Sequence, residues 1–86
     1  MIKQIFLGKQ NADQSRTLKK IQRDWPFIVG DSIASKSRPV SLMDNCLTIN
    51  ADSIPVQSDL IFLGNAIIQR IHTVLKINLS KVIVKE

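Results

Sequence analysis

The sequence predicts an α+β domain of two layers, in which a three-stranded sheet packs on helices. Its elements follow the order helix, helix, strand, strand, helix, strand. A length of 86 residues suits one domain, spanning residues 1–86. Apolar residues recur with helical spacing near both ends of the chain and with a period of two in the middle. A hydrophobic content of 44% indicates a globular chain rather than a disordered one.

The first helix is predicted over residues 13–25, after an N-terminal arm of residues 1–11. Asp13 or Ser15 can cap this helix, because a side-chain oxygen accepts hydrogen bonds from unpaired backbone N–H groups. At about 100° per residue, apolar and cationic side chains separate onto opposite faces. The apolar face consists of Leu18, Ile21 and Trp25.

A second, shorter helix is predicted over residues 26–35, because proline suits the first turn of a helix. Gly30 within it indicates close packing or a break. The residues expected on its buried side are Phe27, Ile28, Ile33 and Ala34.

Two half-buried strands follow, since apolar and polar residues alternate. Asp44 and Asn45 tolerate positive φ and are predicted to form the hairpin turn between them. The apolar positions of the two strands are Val40, Leu42, Leu47, Ile49 and Ala51.

A long helix is predicted to begin at Ser53 as its cap, with Pro55 in the first turn and Asn78 as a left-handed stop. Residues 82–84 then form the closing strand. Ile61 and Ile68 are expected to widen the apolar stripe of the helix. That stripe consists of Leu60, Leu63, Ile67, Ile71, Val74 and Leu75.

The positive charge is confined to the first half of the chain. Residues 1–43 contain eight Lys or Arg against three Asp, which accounts for the whole net charge of +5. Such asymmetry indicates a polyanionic partner, either nucleic acid or an anionic membrane, although ordinary solubilising charge is the alternative.

Four of these cations share one face of the first helix at spacings of three, four and seven residues, where like charges repel. Asp24 is expected to lie off this face and leave the repulsion unrelieved. An external anion would relieve it, and the alternative is a solvated helix face. The predicted nucleic-acid-binding residues are Arg16, Lys19, Lys20 and Arg23, joined by Lys36 and Arg38.

Several functional classes have no support in the sequence. Cys46 is the single cysteine, which fits a reducing cytoplasm. Cys46 and His72 are too few for a zinc site, and no Walker or dinucleotide glycine pattern occurs. No serine has a neighbouring base, and no apolar run approaches a membrane span. We therefore expect a soluble cytoplasmic protein that is not an enzyme, without metal, cofactor, membrane contact or small-molecule substrate.

Roughly residues 15–86 resemble the DciA family of bacterial replicative-helicase loaders. The resemblance rests on Trp25, Ile28-Val29-Gly30, Ile33-Ala34, Ser37, Arg38-Pro39-Val40, the alternating strand to Asp52-Ser53 and the apolar helix to Leu75. It implies a KH-like fold without enzymatic activity. It also implies two partners, the replicative DNA helicase and DNA, with single-stranded or junction DNA as the expected form.

A nucleic-acid clamp of the KH type needs a GXXG loop. The nearest match, Gly30-Asp31-Ser32-Ile33, lacks the second glycine, and Asp31 would repel a phosphate. Binding is therefore expected to rest on phosphate contacts from Lys and Arg.

A protein contact is predicted on the weakly charged face of the long helix at Phe62, Ala66 and Gln69, with Trp25 as a further candidate. For Trp25 the alternatives are the core or stacking on a base. For Phe62 the alternative is coverage by the N-terminal arm through Ile5 and Phe6.

The leading functional hypothesis is a replication accessory domain that binds the replicative helicase and DNA and assists helicase loading. The alternatives are a protein-interaction domain without nucleic-acid binding and an RNA-binding KH-like module.

Overall fold

A computed structural model describes residues 16–86. The predicted N-terminal arm and the helix caps at Asp13 and Ser15 lie outside the described residues. The predicted element order is confirmed. Two predicted helices, the one over residues 26–35 and the long one that begins at Ser53, are each divided into two segments. The elements are α1 (residues 16–23 of the described part), α2 (Trp25–Val29), α3 (Asp31–Ala34), β1 (Ser37–Met43), β2 (Cys46–Ala51), α4 (Ile54–Phe62), α5 (Gly64–Leu75) and β3 (Lys81–Lys85).

The sheet has β2 at its centre, antiparallel to β1 and parallel to β3. The hairpin turn is confirmed, because Asp44 and Asn45 have φ angles of 52° and 63°. These residue types reach the left-handed region at low cost. The parallel pairing of β2 with β3 requires a crossover, which α4 and α5 provide.

The expected burial of Val40 is wrong. The register with β2 shifts between Pro39 and Ser41, so Val40 is the extra residue of a β-bulge. A bulge reverses the alternation of faces along a strand. Val40 is consequently exposed, and Ser37 and Pro39 are the buried residues before it.

The second predicted helix is broken at Gly30, which has a φ of 92° and separates α2 from α3. Glycine adopts this backbone conformation without strain because it has no Cβ atom, whereas most other residues do not. Ile28 is buried as predicted, and Ile33 and Ala34 pack partly buried against the core. The burial predicted for Phe27 is wrong: it is 79% exposed, because the buried residues of the short α2 are Trp25, Ile28 and Val29.

The long predicted helix is broken at Leu63, whose φ and ψ are −86° and 2°. Because the two segments do not share one continuous face, part of the predicted stripe is wrong. Ile61 is 62% exposed and Val74 52% exposed. The stop is also misplaced, since Lys76 rather than Asn78 has the left-handed conformation, with φ 59°. The buried residues of the stripe are Leu60, Ile67 and Ile71, with Leu63, Ile68 and Leu75 partly buried beside them.

Candidate nucleic-acid interface

All four predicted cations of α1 are exposed, and we call the row formed by Arg16, Lys19, Lys20 and Arg23 the α1 ridge. The opposite face of the helix packs on the core. Ile21 is fully buried there, Leu18 is partly buried, and Trp25 follows at the start of α2. The segregation of faces places every charged group of the ridge in solvent.

The expectation that Asp24 leaves the repulsion within the ridge unrelieved is wrong at one residue. Oδ1 of Asp24 lies 3.7 Å from Nε of Arg23, close enough for an ion pair. The side chain of Arg23 is 74% exposed, so solvent screens this pair and it contributes little to stability. Within residues 16–86 no ion pair is found at the other three cations, and the ridge keeps an excess of positive charge.

Two side-chain hydrogen bonds fix the position of the ridge relative to the sheet. Nε2 of Gln22 donates to the carbonyl oxygen of Pro39 at 2.8 Å, which joins α1 to β1. Nε1 of Trp25 donates to Oγ of Ser37 at 3.1 Å, and that hydroxyl donates to the carbonyl of Ile33 at 2.7 Å. Each bond contributes about 1 kcal/mol, and losing one partner of the buried pair costs more.

A groove of about 350 Å³ runs between the first helices and β1. Gln22, which lies between Lys19 and Arg23 of the ridge, forms part of its wall, and the exposed Arg38 lies on the β1 side. The groove therefore lies between α1, the helix that carries the ridge, and a fifth predicted cation on β1. Its lining consists of Gln22, Trp25, Pro26, Ala34, Ser37, Arg38 and Pro39.

Lys36 is exposed but does not line this groove. Its carbonyl accepts a hydrogen bond from the backbone N–H of Asp52 at 2.9 Å. An acidic residue is thus its direct neighbour across the sheet. Of the six predicted cations, the structure places Arg38 in the lining of the groove and leaves Lys36 outside it.

The Gly30-Asp31-Ser32-Ile33 stretch forms a junction between helices. Gly30 ends α2, and Asp31 is the first residue of α3, where its carboxylate is exposed. An acidic side chain in the first turn of a helix is electrostatically favourable and repels a phosphate at the same place.

The residues predicted for a protein contact lie in three places. Phe62 is 88% exposed at the end of α4, beside the exposed Ile61. Trp25 is 3% exposed, which confirms the alternative that it belongs to the core. Ala66 is partly buried and Gln69 is exposed, and both line a depression on α5 shared with Arg70, Thr73 and Val74.

A shallow cleft of about 280 Å³ lies next to Phe62, between the junction of α4 and α5 and the start of β3. Lys81 is its one charged lining residue. We call Phe62 together with this cleft the Phe62 surface. Its lining consists of Ile61, Phe62, Gly64, Asn65, Ile68, Ser80, Lys81 and Val82.

Sequence reasoning missed the residues that act through distant contacts. Gln22 is separated from its partner by 17 positions. Nη1 of Arg70 donates to the carbonyl of Ile28 at 2.8 Å, across 42 positions, and so satisfies the end of α2. The exposure of Ile61 was also missed, because helical periodicity places it on the apolar stripe.

Residues able to carry out chemistry are scattered in the part of the chain that the structure describes. His72 is exposed and Cys46 partly buried. Residues 16–86 hold no group of three or more His, Cys, Asp or Glu that could bind a metal ion. No helix among the same residues has the length and apolar character needed to cross a bilayer.

Comparison with models of protein families places the chain in a known family. The family model described as "Dna[CI] antecedent, DciA" matches residues 1–84. None of the curated proteins compared with the chain matches it. The family match covers almost the whole sequence, including the ridge, the groove and the Phe62 surface. The chain therefore belongs to the DciA family, which is associated with helicase loading in DNA replication.

Proposed function

We propose that this protein is a non-enzymatic accessory factor of DNA replication, with a KH-like fold, that acts in the cytoplasm. It binds single-stranded or junction DNA and the replicative DNA helicase, and so assists helicase loading. The observation that carries the proposal is the α1 ridge, four exposed cations in one row that Gln22 joins to β1. Membership of the DciA family supports the choice of DNA and the helicase as partners.

Contact with DNA is electrostatic in this proposal. Lysine and arginine side chains that meet phosphates release condensed counterions, and the affinity then falls as the salt concentration rises. With about three phosphate contacts, log K for a single strand falls with log salt at a slope of about −2. Such contacts hold DNA of any sequence and leave base reading to other groups.

Contact with the helicase is proposed at the Phe62 surface and at Ala66 and Gln69 on α5. An aromatic side chain that is 88% exposed among few charges suits the centre of a protein interface. The α1 ridge is joined to β1, whereas the Phe62 surface includes the start of β3. These are the two outer strands of the sheet, so one molecule can hold both partners together. Holding both raises the effective concentration of DNA at the helicase.

Measuring DNA binding by fluorescence anisotropy across a salt series tests the proposal. The variant Lys19→Ala/Lys20→Ala/Arg23→Ala is expected to bind single-stranded DNA about 100-fold more weakly at 0.1 M salt, with a slope reduced by about 2. Lys85→Ala, on the opposite edge strand β3, serves as the control and is expected to keep the wild-type slope.

Unchanged DNA affinity in the triple variant would overturn the DNA assignment and favour a domain that binds only proteins. Tighter binding of RNA than of DNA would favour an RNA-binding module. Co-sedimentation with the cognate helicase, with and without DNA, tests the other half of the proposal, and absence of the protein from the helicase pellet would refute it.

A further inference from the structure

We propose that the groove between the first helices and β1 receives a base of single-stranded DNA whose phosphates lie along the α1 ridge. The inference rests on the proposed function and adds a base-binding subsite to it. It predicts a preference for single strands that charge alone does not provide.

The shape and lining of the groove suit a nucleobase. Its volume of about 350 Å³ lies within the range of small-ligand sites, which begins at about 300 Å³. Pro26 supplies exposed apolar surface and Ala34 is partly exposed, while the buried Trp25, Ser37 and Pro39 form the floor of the groove. A base has flat apolar faces and a polar edge, and therefore fits a cleft that offers both kinds of surface.

The polar groups of the groove divide into structural and available ones. The hydroxyl of Ser37 accepts from Trp25 and donates to Ile33, and is therefore occupied. Gln22 uses one N–H for Pro39 and retains a second N–H and its carbonyl oxygen, because a primary amide has two donors and an acceptor. These groups can meet the edge of a base.

Arg38 provides the cationic wall on the β1 side, where it is exposed. Guanidinium planes stack on unpaired bases in single-stranded complexes. Lys19 and Arg23 lie on the same helix as Gln22, three residues before it and one residue after it, so the ridge and one wall of the groove share α1. A strand whose phosphates follow the ridge therefore passes the mouth of the groove.

Duplex DNA does not place a base in such a groove without unpairing it, which costs free energy. The α1 ridge alone, in contrast, attracts the phosphates of either form. The affinity for single-stranded DNA therefore has two contributions. The ridge provides one that depends on salt and on the phosphates, and the groove provides one that depends on the bases.

The test compares three probes of equal length with the full chain at one salt concentration: oligo-dT, an abasic strand with the same phosphates, and a duplex. Oligo-dT is expected to bind at least about fivefold more tightly than the abasic strand, since stacking of one base contributes that much. The fluorescence of Trp25, the single tryptophan, is expected to change with oligo-dT and not with the abasic strand.

Two variants complete the test, with their folds checked by circular dichroism. Arg38→Ala is expected to abolish the difference between oligo-dT and the abasic strand. Lys85→Ala removes the same charge on β3 and is expected to preserve that difference. Neither residue is buried, so both variants should fold.

Equal affinities for oligo-dT and the abasic strand, with unchanged Trp25 fluorescence, would refute the groove. In that case loss of binding in the triple ridge variant would still uphold the proposed function. If wild-type protein binds none of the three probes, the proposed function fails first and the groove with it. Tighter binding of oligo-rU than of oligo-dT would overturn the assignment to DNA.

Discussion

The two outer strands of the sheet differ in what is built beside them. Next to β1 lie the α1 ridge, the groove and the polar contacts made by Gln22 and Trp25. Next to β3 lies the Phe62 surface, whose lining has one charged residue, Lys81. With strands spaced about 4.8 Å apart, the two outer strands are separated by about 10 Å. A small domain thus keeps a strongly charged surface and a weakly charged one apart by means of its sheet.

The difference also predicts how each surface responds to solution conditions. Contacts between exposed cations and phosphates weaken as salt screens them. Burial of apolar surface does not depend on charge and is insensitive to moderate salt. DNA binding and helicase binding should therefore separate in a salt series, with DNA lost first.

The largest expected effect is on the free energy of unfolding, and it should differ between Trp25 beside β1 and Phe62 near β3. Trp25→Ala removes a buried indole beside β1 and its hydrogen bond to Ser37, and should lower the free energy of unfolding by about 3–5 kcal/mol. Phe62→Ala should change it by less than about 0.5 kcal/mol, since Phe62 is 88% exposed. Urea unfolding followed by circular dichroism measures both.

A large destabilisation by Phe62→Ala would show that Phe62 is covered in the protein, which is the alternative involving the N-terminal arm. Equal and small effects of both variants would contradict the placement of Trp25 in the core.

The next effect concerns the Phe62 surface alone. Phe62→Asp should weaken helicase binding by about 2 kcal/mol, because it places a charge where an aromatic side chain meets the partner. Its affinity for DNA should stay at the wild-type level, in contrast to the triple ridge variant. Co-sedimentation and DNA anisotropy on the same preparations give the two readings. Loss of both activities would indicate that the two surfaces are not independent.

Much of the fold follows from local chemistry and could be predicted. The hairpin follows from the positive φ that Asp44 and Asn45 tolerate, and the ridge from cations spaced three and four residues apart. The alternating strands and the buried Leu60, Ile67 and Ile71 follow from hydrophobic periodicity.

The breaks in regular structure could not be predicted in the same way. Periodicity treats the stretch from Ser53 to Asn78 as one helix, whereas the structure divides it at Leu63. The bulge at Val40 likewise depends on the register with β2 and leaves no local pattern. Gly30 was recognised as a possible break, but its effect on Phe27 depends on how the short α2 meets the core.

The candidate groove shows the same limit of sequence reasoning. Gln22 and Pro39 are unremarkable residues 17 positions apart, and only the folded chain joins them by a hydrogen bond. Arg38 was predicted to accompany the ridge because of its charge. The groove between α1 and Arg38 could be identified only from the tertiary structure.

The smallest expected effect concerns Asp24, the acidic residue next to Arg23 of the α1 ridge. Asp24→Asn removes the carboxylate that lies 3.7 Å from Arg23, so Arg23 becomes fully available to a phosphate. DNA affinity should rise about twofold to threefold, the scale of an exposed ion pair. Asp24 also lies at the cap of α2, where asparagine is equally suitable, so stability should not change.

The matched control is Asp44→Asn, which removes the same charge in the β1–β2 turn, where asparagine tolerates positive φ. Anisotropy with single-stranded DNA at low salt measures both variants. An equal rise in the two would reflect net charge and not the ridge. A fall in Asp24→Asn alone would mean that the carboxylate orients Arg23 for binding, since loss of repulsion by itself can only strengthen contact with a polyanion.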